Sequence, residues 1–310
     1  MTGDKLSGRG LSVGRKILRG WQLYLLLLLP MAVIIIFSYG PMYGLQIAFK
    51  NYRPRDGFWG SPWVGLQHFR TFFSNFQIKR LILNTLGISV YSLIVGFPMP
   101  IILAILVNEC TNKAFKKTVQ MVTFAPYFIS TVVMVSMILM FLGVYGGPIN
   151  SFLAAMGRER IDFMGKPELF KSIYVWTGIW QGTGYSSVIY IAALSGIDPT
   201  LYEAAIIDGA GKFQRIIHID IPGIMPTIVI LLVLSCGGLM SVGFEKIYLM
   251  QNQLNMSTSD VISTYVYRMG LENAQYSFST AVGLFNSVIN TILLVIVNQI
   301  ARRVGETSLW

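Results

Sequence analysis

Six stretches of the chain are apolar almost without interruption: Trp21–Tyr39, Asn84–Val107, Val119–Leu142, Ser172–Leu194, Gly223–Val242 and Tyr276–Ile300. Each is close to the roughly 20 residues that a helix needs to cross a bilayer. None contains Asp, Glu, Lys, Arg or His. One charge at a helix centre costs about 2.5–3.5 kcal/mol on insertion scales, so such runs favour insertion. The pattern predicts an all-α integral membrane protein of six transmembrane helices. Gly96, Pro98 and Pro100 predict a kink in the second, where neighbouring helices can satisfy the freed carbonyls. In the connection after the first span, Leu66, Phe69, Phe72, Phe73 and Phe76 recur at helical spacing with polar residues between them. That predicts an amphipathic helix along the outer interface or against the bundle.

Composition agrees. Of 310 residues, 54% are hydrophobic and 12% charged, against about 25% charged in a soluble domain. Two cysteines, Cys110 and Cys236, cannot build a disulfide framework. Two histidines, His68 and His218, are too far apart for a local metal motif. The net charge of +10 is spread over the connections and forms no basic groove, which argues against a nucleic-acid partner.

Charge also orients the chain. Residues 1–20 carry Lys5, Arg9, Arg15, Lys16 and Arg19 ahead of the first span, and no small-x-small cleavage pattern follows. The first span is therefore expected to be uncleaved, with a cytoplasmic basic tail. Six spans then place 109–118, 195–222 and a 303–310 tail inside, and 40–83, 143–171 and 243–275 outside. Lys and Arg number twelve on each side. The assignment rests on density, in the N-terminal tail and at Lys113, Lys116 and Lys117 of one short loop. Both termini are expected in the cytoplasm.

Ionisable groups inside spans mark proton and ion pathways, and their absence argues against an ion-coupled carrier. A serine elbow at Ser186 fails because position 188 is valine. A phosphate loop ending at Lys212 fails because 206 is isoleucine and 213 phenylalanine. No catalytic, metal or cofactor site is expected on the chain.

The connection 195–222 is longer than a link between spans requires. Asp198 can cap a helix that Pro199 begins, two turns run over Thr200–Asp208, and Gly209-Ala210-Gly211 breaks them. A second short helix, Lys212–Ile219, is expected to stop at Asp220-Ile221-Pro222. The result is an L-shaped elbow, with small alanines that allow another surface to approach closely.

Glu203-Ala204-Ala205, Gly209, Ile219 and Pro222 stand at the spacing of the signature loop of ATP-binding-cassette importer permeases. The usual leucine before the proline is Ile221 here. With six spans and the loop between the fourth and fifth, nearly the whole chain resembles that family. Within it, Tyr43–Lys50 and Asn84-Thr85-Leu86 are similar to the carbohydrate-uptake branch, of maltose type, and to permeases for polysaccharide-derived oligosaccharides. The resemblance implies the type I importer fold over 21–302, with 198–222 as a coupling loop seated on a separate ATPase. Its interface would comprise Glu203, Ala204, Ala205, Asp208, Gly209, Gly211, Ile219 and Pro222. It further implies a second homologous permease, two ATPase subunits that hold the ATP and Mg, and an extracytoplasmic sugar-binding protein. The location would be a bacterial cytoplasmic membrane.

Sugars bind through rings stacked on their apolar faces and amides bonded to their hydroxyls. Trp180, Gln181, Tyr185 and Tyr190 in the fourth span are candidates to line such a path. So are Asn286 and Asn290, on a stripe with Gly283 and Ser287 in the sixth. Helix–helix contact and an interfacial aromatic belt explain the same residues without a ligand. A stand-alone carrier or channel is the rival reading, and it leaves the elbow without a purpose.

Overall fold

The computed structural model describes residues 20–304 and 308–309. The predicted basic tail lies outside them except for Gly20, and so does most of the tail predicted at 303–310. Helices make up the described part, with one isolated bridge between Lys50 and Trp63.

Helix α1 (Trp21–Phe49) is the first apolar run. No residue of Trp21–Ile34 is buried in this chain, so its apolar surface is left for lipid or another subunit. Its C-terminal end tightens into a 3-10 segment, Gly40–Phe49, that packs on the last helix. The amphipathic helix is α2 (Gln67–Ser74), which inserts Phe72 against Phe278 and Phe285. Phe69 packs on Phe49 and Phe73 meets Phe285 edge-on although it is more than half exposed, while Phe76 stays exposed.

Helix α3 (Ile78–Asn108) shows the expected disturbance: a π turn over Ser92–Gly96 just before Pro98 and Pro100. Proline lacks an N–H and crowds the carbonyl four residues back, and the wider π turn relieves both.

The third run departs from expectation. A single helix over Val119–Leu142 is predicted, but α4 (Lys113–Phe128) and α5 (Thr131–Phe141) meet at 99°. Pro126 tightens the end of α4 into a 3-10 turn, and Ser130 restarts the chain by accepting the Val133 N–H. After α6 (Pro148–Ala155), α7 (Pro167–Ser195) runs for 29 residues. Gly184 lets α7 meet α4 backbone to backbone, since a Cβ there would collide with the Thr123 carbonyl.

Helix α8 (Pro199–Ile207) and α9 (Lys212–Gly237) follow. The predicted stop at Ile219 is corrected: α9 continues into the fifth span through a π turn at Ile216–Asp220. The turn accommodates Pro222 as it does the prolines of α3. Helices α10 (Phe244–Met250), α11 (Ile262–Tyr267) and α12 (Tyr276–Val304) complete the chain.

Among the described residues four helices, α1, α3, α9 and α12, are long and apolar enough to cross a membrane, and the bent pair would make a fifth. Helix α7 occupies the fourth predicted run, but its Tyr, Trp, Gln, Ser, Thr and Gly residues lower its hydropathy.

Three apolar clusters hold the helices together. Ile88, Met134, Phe170, Ile247 and Val261 join α3, α5 and α7 to α10. Phe72, Leu81, Tyr265 and Val282 join α2, α3, α11 and α12. Ala104, Tyr190 and Ile224 join α3, α7 and α9. The connection 243–275 therefore packs into the bundle and is not a free loop. It can do so because its polar groups are paired internally. The Asn255 amide donates to the Met164 and Met250 carbonyls, and Asp260 holds Arg268 through both oxygens at 2.7 and 2.8 Å.

Candidate functional site

Two regions carry the predicted site residues. The first is the turn between α8 and α9. Asp198 caps α8 by accepting the Thr200 N–H at 2.9 Å, and these hydrogen bonds hold its carboxyl below the usual carboxylate range. Gly209 closes the helix at φ +79°, a left-handed conformation that a side chain rarely adopts. Gln214 Oε1 accepts the Gly211 N–H at 2.7 Å and starts α9.

The two helices are then tied together. Tyr202 donates to Asp220 Oδ1 at 2.5 Å, and Asp220 is fully buried. Burial, then the Asp220 bond, push the Tyr202 hydroxyl pKa up, so it remains a donor. Arg215 of α9 reaches Glu109, just past the end of α3, at 4.0 Å. Gly223 packs against Ile197 so closely that a Cβ would collide. Turn, tyrosine and salt bridge together attach α8 to α9, and α9 to α3.

What this turn presents outward is apolar. Leu201, Ile206 and Ile207 are exposed, Ile207 to 85%, and so is Phe213. Glu203, Ala204, Asp208, Gly209, Gly211 and Pro222 are exposed, while Ala205 and Ile219 are half-buried. Apolar side chains gathered at a surface and rimmed by charge mark a contact site for another molecule.

The second region is a cavity. The π turn of α3 opens a space of about 740 Å³ lined by Ser92, Gly96 and Pro100, by Tyr174, Tyr185, Ser186 and Tyr190 of α7, and by Ser235 and Ser241. A smaller compartment of about 300 Å³ shares Ser92, Gly96, Pro100, Tyr174 and Ser186, and adds Gln181, Thr183 and Lys246.

The structure brings Gln181, Tyr185 and Tyr190 to this space, each with a packing partner. The Gln181 amide donates to the Ile129 carbonyl, at the break between α4 and α5. Tyr185 stacks on Tyr127 with ring centroids 3.8 Å apart. Tyr190 is 3% exposed in the apolar cluster with Ala104. Trp180 is half-exposed and borders neither compartment. Asn290 bonds Ser241 and the Met240 N–H, fastening α12 to the end of α9. Asn286 borders a separate cavity of about 550 Å³, and its buried Oδ1 has no hydrogen-bond partner.

Sequence reasoning missed Ser92, Tyr174 and Lys246. The proline kink could have pointed to Ser92. Lys246 was missed because nothing local shows that 243–275 packs against the other helices.

An all-helical bundle with several membrane-length helices, a mainly apolar cavity edged with serine and tyrosine hydroxyls, and an exposed apolar turn defines a polytopic membrane subunit. Residues 96–306 match the family described as binding-protein-dependent transport system inner membrane component, and the chain belongs to that family. It is 42% identical over 304 residues to protein LplB of Bacillus subtilis (strain 168), covering 98% of this chain and 96% of that one. It is 40% identical over 295 residues to the polygalacturonan/rhamnogalacturonan transport system permease protein YteP of the same organism, covering 95% and 92%. Among solved structures it is similar to a chain of a bacterial alginate ABC transporter in complex with an alginate pentasaccharide-bound periplasmic protein. That likeness has a TM-score of 0.87 at 41% identity, covering 96% of this chain and 99% of that one.

Proposed function

We propose that this chain is one half of an importer that carries an oligosaccharide across a bacterial cytoplasmic membrane. A second homologous permease forms the other half, and one of two ATP-binding-cassette subunits docks at 198–222 of this chain from the cytoplasm. An extracytoplasmic binding protein delivers the sugar, and both termini lie in the cytoplasm. ATP and Mg belong to the ATPase subunits.

The observation that carries the reading is the turn between α8 and α9: apolar outward, with Leu201, Ile206, Ile207 and Phe213 exposed, yet fastened inward through Tyr202, Asp220, Arg215 and Glu109. A surface that is sticky outside and rigidly joined inside suits a lever. The docked ATPase subunit would move α8, and the ties would pass the motion to α9 and α3, which wall the cavity. Among the exposed residues Glu203 would make polar contacts, Ala204 and Ala205 permit close docking, and Gly209 shape the turn. The oligosaccharide class follows the relatives, whose named cargoes are polygalacturonan/rhamnogalacturonan and alginate.

The test is reconstitution of the chain with its second permease, ATPase and binding protein in liposomes. Oligosaccharide-stimulated ATP hydrolysis with sugar accumulation is expected. Sugar flux through this chain without ATPase would overturn the reading.

A further inference from the structure

Lys246 is the unusual group of the cavity wall. It lies on α10, in the connection that folds back between the helices, and is 9% exposed. Its ammonium donates to the Tyr174 carbonyl at 2.8 Å and sits 4.6 Å from the centre of the Tyr174 ring. Gly178, one turn further along α7, leaves room for it, because a Cβ there would lie 3.3 Å from Nζ. The side chain thus borders the smaller compartment beside Gln181, Thr183 and Ser186.

A buried ammonium without a counter-charge is costly. Of the other cations, Arg268 and Arg215 face Asp260 and Glu109, while Lys171, half-buried against Gly87, is also outside these ion pairs but borders neither compartment. Lys246 takes part in none of the ion pairs found among the described residues, and its neighbour Glu245 is exposed. Lys50 is also buried, but the Phe58 carbonyl and the Trp63 ring enclose it away from both compartments. An ammonium has three donors, and the Tyr174 carbonyl occupies one of them.

We propose that Lys246 meets a carboxylate of the passing oligosaccharide, which makes anionic sugars the preferred cargo of this cavity. The inference rests on the importer reading above. The Tyr174 carbonyl and ring hold the ammonium at the wall, and its remaining donors supply the charge that a carboxylate lacks on leaving water. Burial pulls the Lys246 pKa down to about 7, so the empty cavity tolerates it, and an arriving carboxylate restores the charged form. Thr183 and Ser186 line the same compartment, as suits a polyhydroxylated ligand.

The experiment measures equilibrium binding to the assembled permease–ATPase complex without binding protein, so that the binding protein's own preference does not enter. The probes are a trisaccharide of hexuronic acids and its carboxyl-reduced neutral counterpart. Wild type should favour the acid, and Lys246→Met should lower that preference by about tenfold or more, as expected for loss of a charge-assisted hydrogen bond. Lys246→Arg should retain it. Equal binding of the two sugars by wild type, or an unchanged preference in Lys246→Met, overturns the proposal while leaving the importer reading intact. Should Lys246→Met fail to assemble, the wild-type and Lys246→Arg preferences decide. Sugar-stimulated ATP hydrolysis by the full complex is scored in parallel. Its absence for every sugar, with binding absent too, refutes both readings.

Discussion

The connection before α9 exposes Leu201, Ile206, Ile207 and Phe213, whereas the connection after it buries Asn255, Ser259, Asp260 and Thr264 at 1% exposure or less. By composition the first reads as core and the second as an aqueous loop. Burial follows partners instead. The polar groups after α9 bond one another and α3: Asn84 donates to the Ser257 and Asp260 carbonyls, and Thr85 accepts the Ile262 N–H. A polar segment so paired can enter a bundle at small cost. The apolar side chains before α9 are left exposed by this chain, as the proposed contact with another subunit requires.

Changes on the exposed side should act on transport and spare the fold. Ile207→Asp is expected to reduce ATP-driven uptake about 100-fold with normal membrane insertion, because interface centres carry most of the binding energy. Glu203→Lys should act in the same direction; uptake by the reconstituted complex checks both.

On the buried side the ordering reverses. Asp260→Ala should lower stability by about 3 kcal/mol, the lower end for a broken buried pair since Arg268 is partly exposed. Thermal unfolding in lipid nanodiscs measures it, and a shift no larger than that of Ile207→Asp would dissolve the contrast.

Tyr202→Phe sits between the two. It removes one partner of buried Asp220, whose Oδ2 already lacks one, at about 1.5 kcal/mol. The expected result is a complex that still docks its ATPase but moves fewer sugars per ATP, read by measuring both in one vesicle preparation.

The smallest effect belongs to Asp198→Ala, which removes an exposed cap. The capping carboxyl has a lowered pKa. Its contribution is thus present above the ordinary carboxylate value and is lost only as pH falls through the lowered one. Uptake by wild type should accordingly show no loss of this cap at neutral or mildly acid pH.

The helical class, a disturbance of α3 at its prolines and the turn at Gly209 were legible because each follows from local rules: apolar length, proline chemistry and positive φ. The bend between α4 and α5 was only half legible. Pro126 and Ser130 mark a break, but the same prolines in α3 produce a π turn within a continuous helix, and neighbours decide which occurs. Gln181, which satisfies the Ile129 carbonyl at that break, is such a neighbour, 52 residues away. The inward fold of 243–275 was not legible, because its pairing partners Asn84, Thr85 and Arg80 lie on α3. Lys246 went unnoticed for the same reason.

The central claim is that residues 198–222 transmit ATPase motion to the cavity. A photo-crosslinker at Ile207, in native membranes, tests it most directly. The account predicts an adduct with an ATP-hydrolysing subunit, together with labelling of Ile207→Cys by an impermeant thiol reagent only from the cytoplasmic side. Labelling from the outer side, or an ATP-driven complex active in transport whose ATPase is never captured from this position, would contradict it.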